Sequence, residues 1–108
     1  MSFVRNKYSA RDCYSSVGQG WWPLIRVLWK YKPDNINIVQ VKEKFGVLRV
    51  YTDCINDRYD AVIDALETLS SRICEGCGAK GRLDTSHYWM QTLCKSCKAM
   101  EDAKYGDS

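Results

Sequence analysis

The sequence predicts an α+β fold: a small helix–hairpin–helix unit packed on a cysteine-bearing C-terminal module. Three observations carry this expectation. Residues 36–52 are rich in β-branched side chains and alternate with the two-residue period of a strand. Residues 56–73 repeat apolar positions every three to four residues, the pattern of a helix lying on a core. The last third carries four of the six cysteines, in two pairs. A chain of 108 residues has room for one domain, with residues 1–72 as its α+β part and 73–108 as its cysteine part.

Met1 to Gln19 reads as a partly ordered lead-in with a short helix near Ser9–Ser15. In GWWPLIRVLWKYK, Pro23 suits the first turn of a helix, where its missing N–H costs nothing. Trp21 or Trp22, Ile25, Leu28 and Trp29 then share one face, and KPDN (Lys32–Asn35) stops the helix. Ile36, Ile38 and Gln40 alternate with Asn37, Val39 and Val41. Beyond Phe45–Gly46, Val47, Arg49 and Tyr51 alternate with Leu48, Val50 and Thr52, a two-stranded hairpin turning near Lys44–Gly46. A single strand bulged at Gly46 is the alternative. In NDRYDAVIDALETLSSRI, Asn56 or Asp57 caps a helix whose first turn carries Asp57 and Asp60, charges its dipole favours. Tyr59, Val62, Ile63, Leu66 and Leu69 form its buried stripe, with Asp64 and Glu67 outward. No Pro- or Gly-rich linker separates Leu69 from Cys74, so the two parts are expected to pack together.

Cys74, Cys77, Cys94 and Cys97 give the spacing C-x2-C-x16-C-x2-C, which reads as one structural, tetrahedral zinc site with four cysteine ligands. Cysteines two residues apart can turn back on one ion, and two such pairs close its coordination shell. Gly76 and Gly78 suit the tight turn of the first pair. Arg82–Leu93 is long enough for a short hairpin, and the second pair opens a terminal helix whose N–H groups favour thiolate charge. This order resembles a treble-clef zinc finger. Iron–sulfur and dithiol redox sites are the alternatives. A closed shell of four thiolates leaves no position for water, which argues against catalytic zinc. Cys13 and Cys54 read as buried small hydrophobes, and His87, the only histidine, as a hairpin residue.

Composition narrows the function. The N-terminus lacks a signal peptide's apolar region, and no apolar run approaches the roughly 20 residues of a membrane span. A reducing cytoplasm is the expected compartment. Residues 1–52 carry nine Lys/Arg against three acidic residues. Four thiolates around one Zn²⁺ would lower the formal total from +3 to +1, little for a non-specific DNA binder. The second histidine and asparagine of a treble-clef nuclease are missing, as are P-loop, GxGxxG, HExxH and GxSxG motifs. A non-enzymatic binding protein is therefore expected. Lys42, Lys44 and Arg49 on the hairpin, with Trp21, are the candidate partner-binding residues. The alternative is a small nucleic-acid-binding regulator that sets the basic hairpin, with Lys30 and Lys32, against phosphates.

The run GWWPLI…VQVKEKFGVLRVY…ICEGCGAKGRL…W…TLCKSC resembles a family of small proteins of bacteriophages and bacterial genomes. Gly20, Trp21, Leu24, Ile25, Val41–Gly46, Leu48, Arg49, Tyr51 and the four cysteines match its pattern. The resemblance implies a setting rather than a reaction. Small phage-borne proteins in a host cytoplasm often bind and redirect a host protein or protein–nucleic-acid complex, including a defence complex.

Overall fold

The computed structural model describes residues 9–85 and 90–105. These form an α+β fold of four α-helices, one 3₁₀ turn and two antiparallel two-stranded sheets. The order is α1 (Ala10–Ser15), the 3₁₀ turn (Gln19–Trp21), α2 (Trp22–Lys30), β1 (Ile38–Lys44), β2 (Val47–Thr52), α3 (Asp57–Ser70), β3 (Arg82–Asp84), β4 (Gln91–Leu93) and α4 (Lys95–Tyr105). No helix among the described residues is long and apolar enough to cross a membrane. His87, Tyr88 and Trp89 lie outside the described residues.

Each helix of the first part begins where a local signal sets it. Ser9 and Asp12 form a reciprocal capping box for α1. Pro23 occupies the first turn of α2, and the Asn56 side chain accepts from Tyr59 N at 2.9 Å to cap α3. The core gathers Cys13, Trp21, Leu24, Ile25, Leu28, Ile36, Ile38, Val41, Leu48, Val50, Tyr59, Ile63 and Leu66. Tyr59 ties α3 to the end of α2 by donating its hydroxyl to Leu28 O at 2.6 Å. Burial pushes that phenol well above its ordinary range.

The β1–β2 hairpin closes at Phe45–Gly46, whose φ angles of 54° and 82° are both left-handed, as a two-residue hairpin turn demands. The register slips between Ile38 and Gln40. That bulge carries the buried set from Ile36 and Ile38 to Val41, so the strict alternation expected here breaks by one residue. Helix α3 covers the open edge of β2: Leu48 N donates to Ser70 Oγ (2.9 Å) and Val50 N to Glu67 Oε2 (3.0 Å). Glu67, expected outward, instead satisfies an edge amide that would otherwise invite another strand. Leu69, expected in the stripe, is exposed.

Candidate metal centre

Residues 74–79 form a tight turn in which Gly78 N donates to Cys74 O (2.9 Å) and Cys74 N to Ala79 O (2.7 Å). The β3–β4 hairpin follows, pairing Arg82 with Leu93 and Asp84 with Gln91. Cys94 stands immediately before α4. Its carbonyl accepts from Lys98 N at 2.9 Å and its sulfur from Cys97 N at 3.4 Å, so a thiol does the work of a helix N-cap. Lys98, bridged to Asp84 at 3.6 Å and Asp102 at 3.1 Å, ties α4 to β3.

This geometry brings the four predicted cysteines together: the sulfur atoms of Cys74, Cys77, Cys94 and Cys97 all lie within 4.8 Å of one another. Cys77 Sγ and Cys94 Sγ are 3.6 Å apart, well beyond the about 2.05 Å of a disulfide. Sulfurs held about 2.3 Å from a central ion in a tetrahedron are about 3.8 Å from each other, so this donor set fits one metal ion. Protonation favours the same conclusion. Burial raises the Cys74 thiol, yet hydrogen bonds from the backbone N–H groups of Cys94 and Cys77, then the Cys97 thiol, outweigh it and bring it to about 7. Cys97 is pushed up to about 12, chiefly by its hydrogen bond to Cys74. Cys74 and Cys97 thus hold their protons very unequally, and a divalent cation at this site would let both ionise.

The cluster is clamped to the first part at two places. Gly20 N donates to Glu75 O (2.8 Å), Gly18 N to Glu75 Oε2 (3.0 Å), and the Trp21 indole to Ile73 O (2.8 Å). A Cβ on Gly20 would sit 2.0 Å from Cys74 O and 2.5 Å from Gly78 N, so only glycine permits this approach. At the second place, buried Thr92 donates its hydroxyl to Gly46 O (2.7 Å), seating the tip of the β1–β2 hairpin on β4. Thr92 O accepts in turn from Glu75 N (2.9 Å).

Trp21, a candidate partner contact, is fully buried and its one polar atom is satisfied. It belongs to the clamp and offers no surface. The exposed member of the pair is Trp22 (40%), whose ring meets Tyr14 edge-on at 5.7 Å. Cys13 is buried in the core, whereas Cys54, expected to be buried as well, is exposed beside Asp53. Lys32 is spent on the carbonyls of Pro33 (3.1 Å) and Ile36 (2.6 Å).

Lys42, Lys44 and Arg49 do share one region. Lys42 pairs with Arg49 across the hairpin. Lys42 Nζ lies 5.7 Å from the Tyr51 ring centre, and Lys44 Nζ 5.7 Å from that of Phe45. Arg49 reaches Glu67 at 3.6 Å with nearly half its side chain exposed. The clamp residues Gly18, Glu75 and Thr92 had no signal in the sequence, because each acts through the backbone of a distant segment. Comparison with family models, curated proteins and solved structures found no match for this chain.

Proposed function

We propose that the chain is a non-enzymatic binding protein, stapled by one structural zinc ion, that uses the outer face of the β1–β2 hairpin to grip a protein partner. The cysteine cluster's donor set and its order of tight turn, hairpin and helix support a treble-clef-like zinc module as the staple. Zinc would be held by Cys74, Cys77, Cys94 and Cys97, supplying cross-linking rather than reactivity.

The observation that carries the binding role is Phe45. It occupies a left-handed turn position at φ 54°, where asparagine, aspartate or glycine would serve the hairpin better, and two-thirds of it is exposed. Neither the turn nor the core needs an aromatic ring there. Lys44 Nζ lies over the Phe45 ring, and further along the same hairpin Lys42, paired with Arg49, lies over Tyr51, a second exposed ring. Aromatic and arginine side chains anchor protein interfaces, and the basic rim suits an acidic partner surface. With the resemblance to phage-borne proteins, the reading becomes a modulator or inhibitor of a host complex, a bacterial defence system among the candidates.

Affinity capture from bacterial lysate, with and without nuclease, tests this. Wild-type bait should retain a protein partner after nuclease. Phe45→Ala and the triple Lys42→Ala/Lys44→Ala/Arg49→Ala should lose it while keeping the wild-type circular dichroism spectrum. Recovery of nucleic acid alone, with binding that collapses as salt rises, would establish the nucleic-acid reading instead.

A further inference from the structure

The β1–β2 hairpin is braced by two different parts of the molecule. Along β2, α3 takes the edge: Leu48 N donates to Ser70 Oγ at 2.9 Å and Val50 N to Glu67 Oε2 at 3.0 Å. The tip instead leans on the cysteine module. Gly46 O accepts from the Thr92 hydroxyl (2.7 Å), and a Cβ on Gly46 would stand 2.6 Å from Leu83 Cδ1 and 3.2 Å from the Gln91 backbone. Strands β3 and β4 thus both press on the turn that carries Phe45. Thr92 is fully buried, and its carbonyl accepts from Glu75 N at 2.9 Å. Glu75 follows Cys74 and Thr92 stands two residues before Cys94, so one residue links both cysteine pairs to the hairpin tip.

Phe45 supplies the element that can change state. Its φ of 54° is a conformation that a residue with a Cβ adopts at a cost and keeps where its surroundings enforce it. The bond from Gly46 N to Glu43 Oε2 (2.5 Å) braces the turn from within; Thr92 and Leu83 brace it from outside. The outer brace is conditional, because the module that bears it buries few side chains and relies on its metal for order. Given zinc in the cluster and a partner at the hairpin tip, as read above, we infer that metal occupancy fixes the Phe45–Gly46 turn and so switches the binding face on. The coupling is reciprocal: a partner that holds the turn tightens metal binding by the same factor with which the metal tightens the partner.

Amide hydrogen exchange of the full chain, followed by NMR with zinc bound and after removal by a strong chelator, tests this without any partner. Native mass spectrometry counts the metal in each sample. Chelation should speed exchange at Gly46 about tenfold, the scale of a lost hydrogen bond, while Leu48 and Val50, held by α3, stay within about twofold. Thr92→Val should keep its zinc and still exchange Gly46 about tenfold faster, and Thr92→Ser, which retains the hydroxyl, should behave as the wild type. Gly46 exchange unmoved by chelation of a zinc-loaded protein, or unmoved by Thr92→Val, would overturn the switch and leave the zinc staple standing. A chain that binds no zinc would overturn both. Equal acceleration at Leu48 and Val50 would mean that the hairpin melts as a whole, which also overturns the switch. Because no partner enters the measurement, a failed affinity capture would count against the hairpin's grip alone.

Discussion

The two parts of this chain are held together by different physics. The α1–α3 part has a core of fourteen buried residues drawn from six elements and the loops between them. Of the described residues from 73 onward, only Cys74, Thr92 and Leu93 are buried, and Cys74 belongs to the sulfur cluster. Each fully buried aliphatic or aromatic side chain contributes about 1.5–3 kcal/mol. The first part can therefore fold on apolar burial, while the second depends on whatever joins its sulfurs and on the clamps to its neighbour. A segment that small needs a staple.

The largest test of this contrast is removal of a ligand. Cys74→Ser should cost coupling on the order of 10 kcal/mol, enough to unfold residues 73–105, while the amides of β1, β2 and α3 keep native dispersion in NMR spectra. A uniform loss of dispersion along the chain would mean that the parts fold as one unit. Next comes the clamp. Trp21→Ala removes a buried ring and its bond to Ile73 O and should cost about 3–5 kcal/mol in denaturant unfolding. It should also separate the unfolding transitions of the two parts. Thr92→Val keeps the shape but strands Gly46 O, and a loss of about 1–3 kcal/mol is expected. The smallest effect is at the hairpin tip. Phe45→Asn relieves a disfavoured backbone angle and should stabilise the fold by about 0.5–1 kcal/mol while weakening partner capture. A change that stabilises the protein yet reduces binding would separate the hairpin's function from its structure.

The same contrast explains what could be read from sequence. Helices α2 and α3, the hairpin and the cysteine spacing were legible because each is written in local periodicity or in short, fixed intervals. The choice between Trp21 and Trp22 was not. Trp21 lies in the 3₁₀ turn ahead of α2, so the helical period does not set its direction; Ile73 O, 52 residues away, does. Glu67 looked like a solvated residue because nothing in α3 reveals that a strand edge lies beside it. Gly20 is part of the pattern GWWPLI, yet its reason is the close passage of Cys74 and Gly78, visible only once the chain is folded. Two stretches that looked functional, Gly20–Trp21 and the Gly46 turn, thus serve at least in part to seat the cysteine module. The surface proposed for a partner therefore rests on the exposed Phe45 and Tyr51 with Lys42 and Lys44 beside them, and on Arg49, half-exposed against Glu67.

The staple itself can be weighed. Native mass spectrometry of the purified chain, paired with circular dichroism before and after a strong chelator, measures metal content and its consequence together. One zinc per chain is expected, and its removal should abolish the helical signal of α4 while part of the signal from α2 and α3 survives. A metal-free protein with the full spectrum, unmoved by the chelator, would contradict the claim that four cysteines around one ion hold this fold's last third in place.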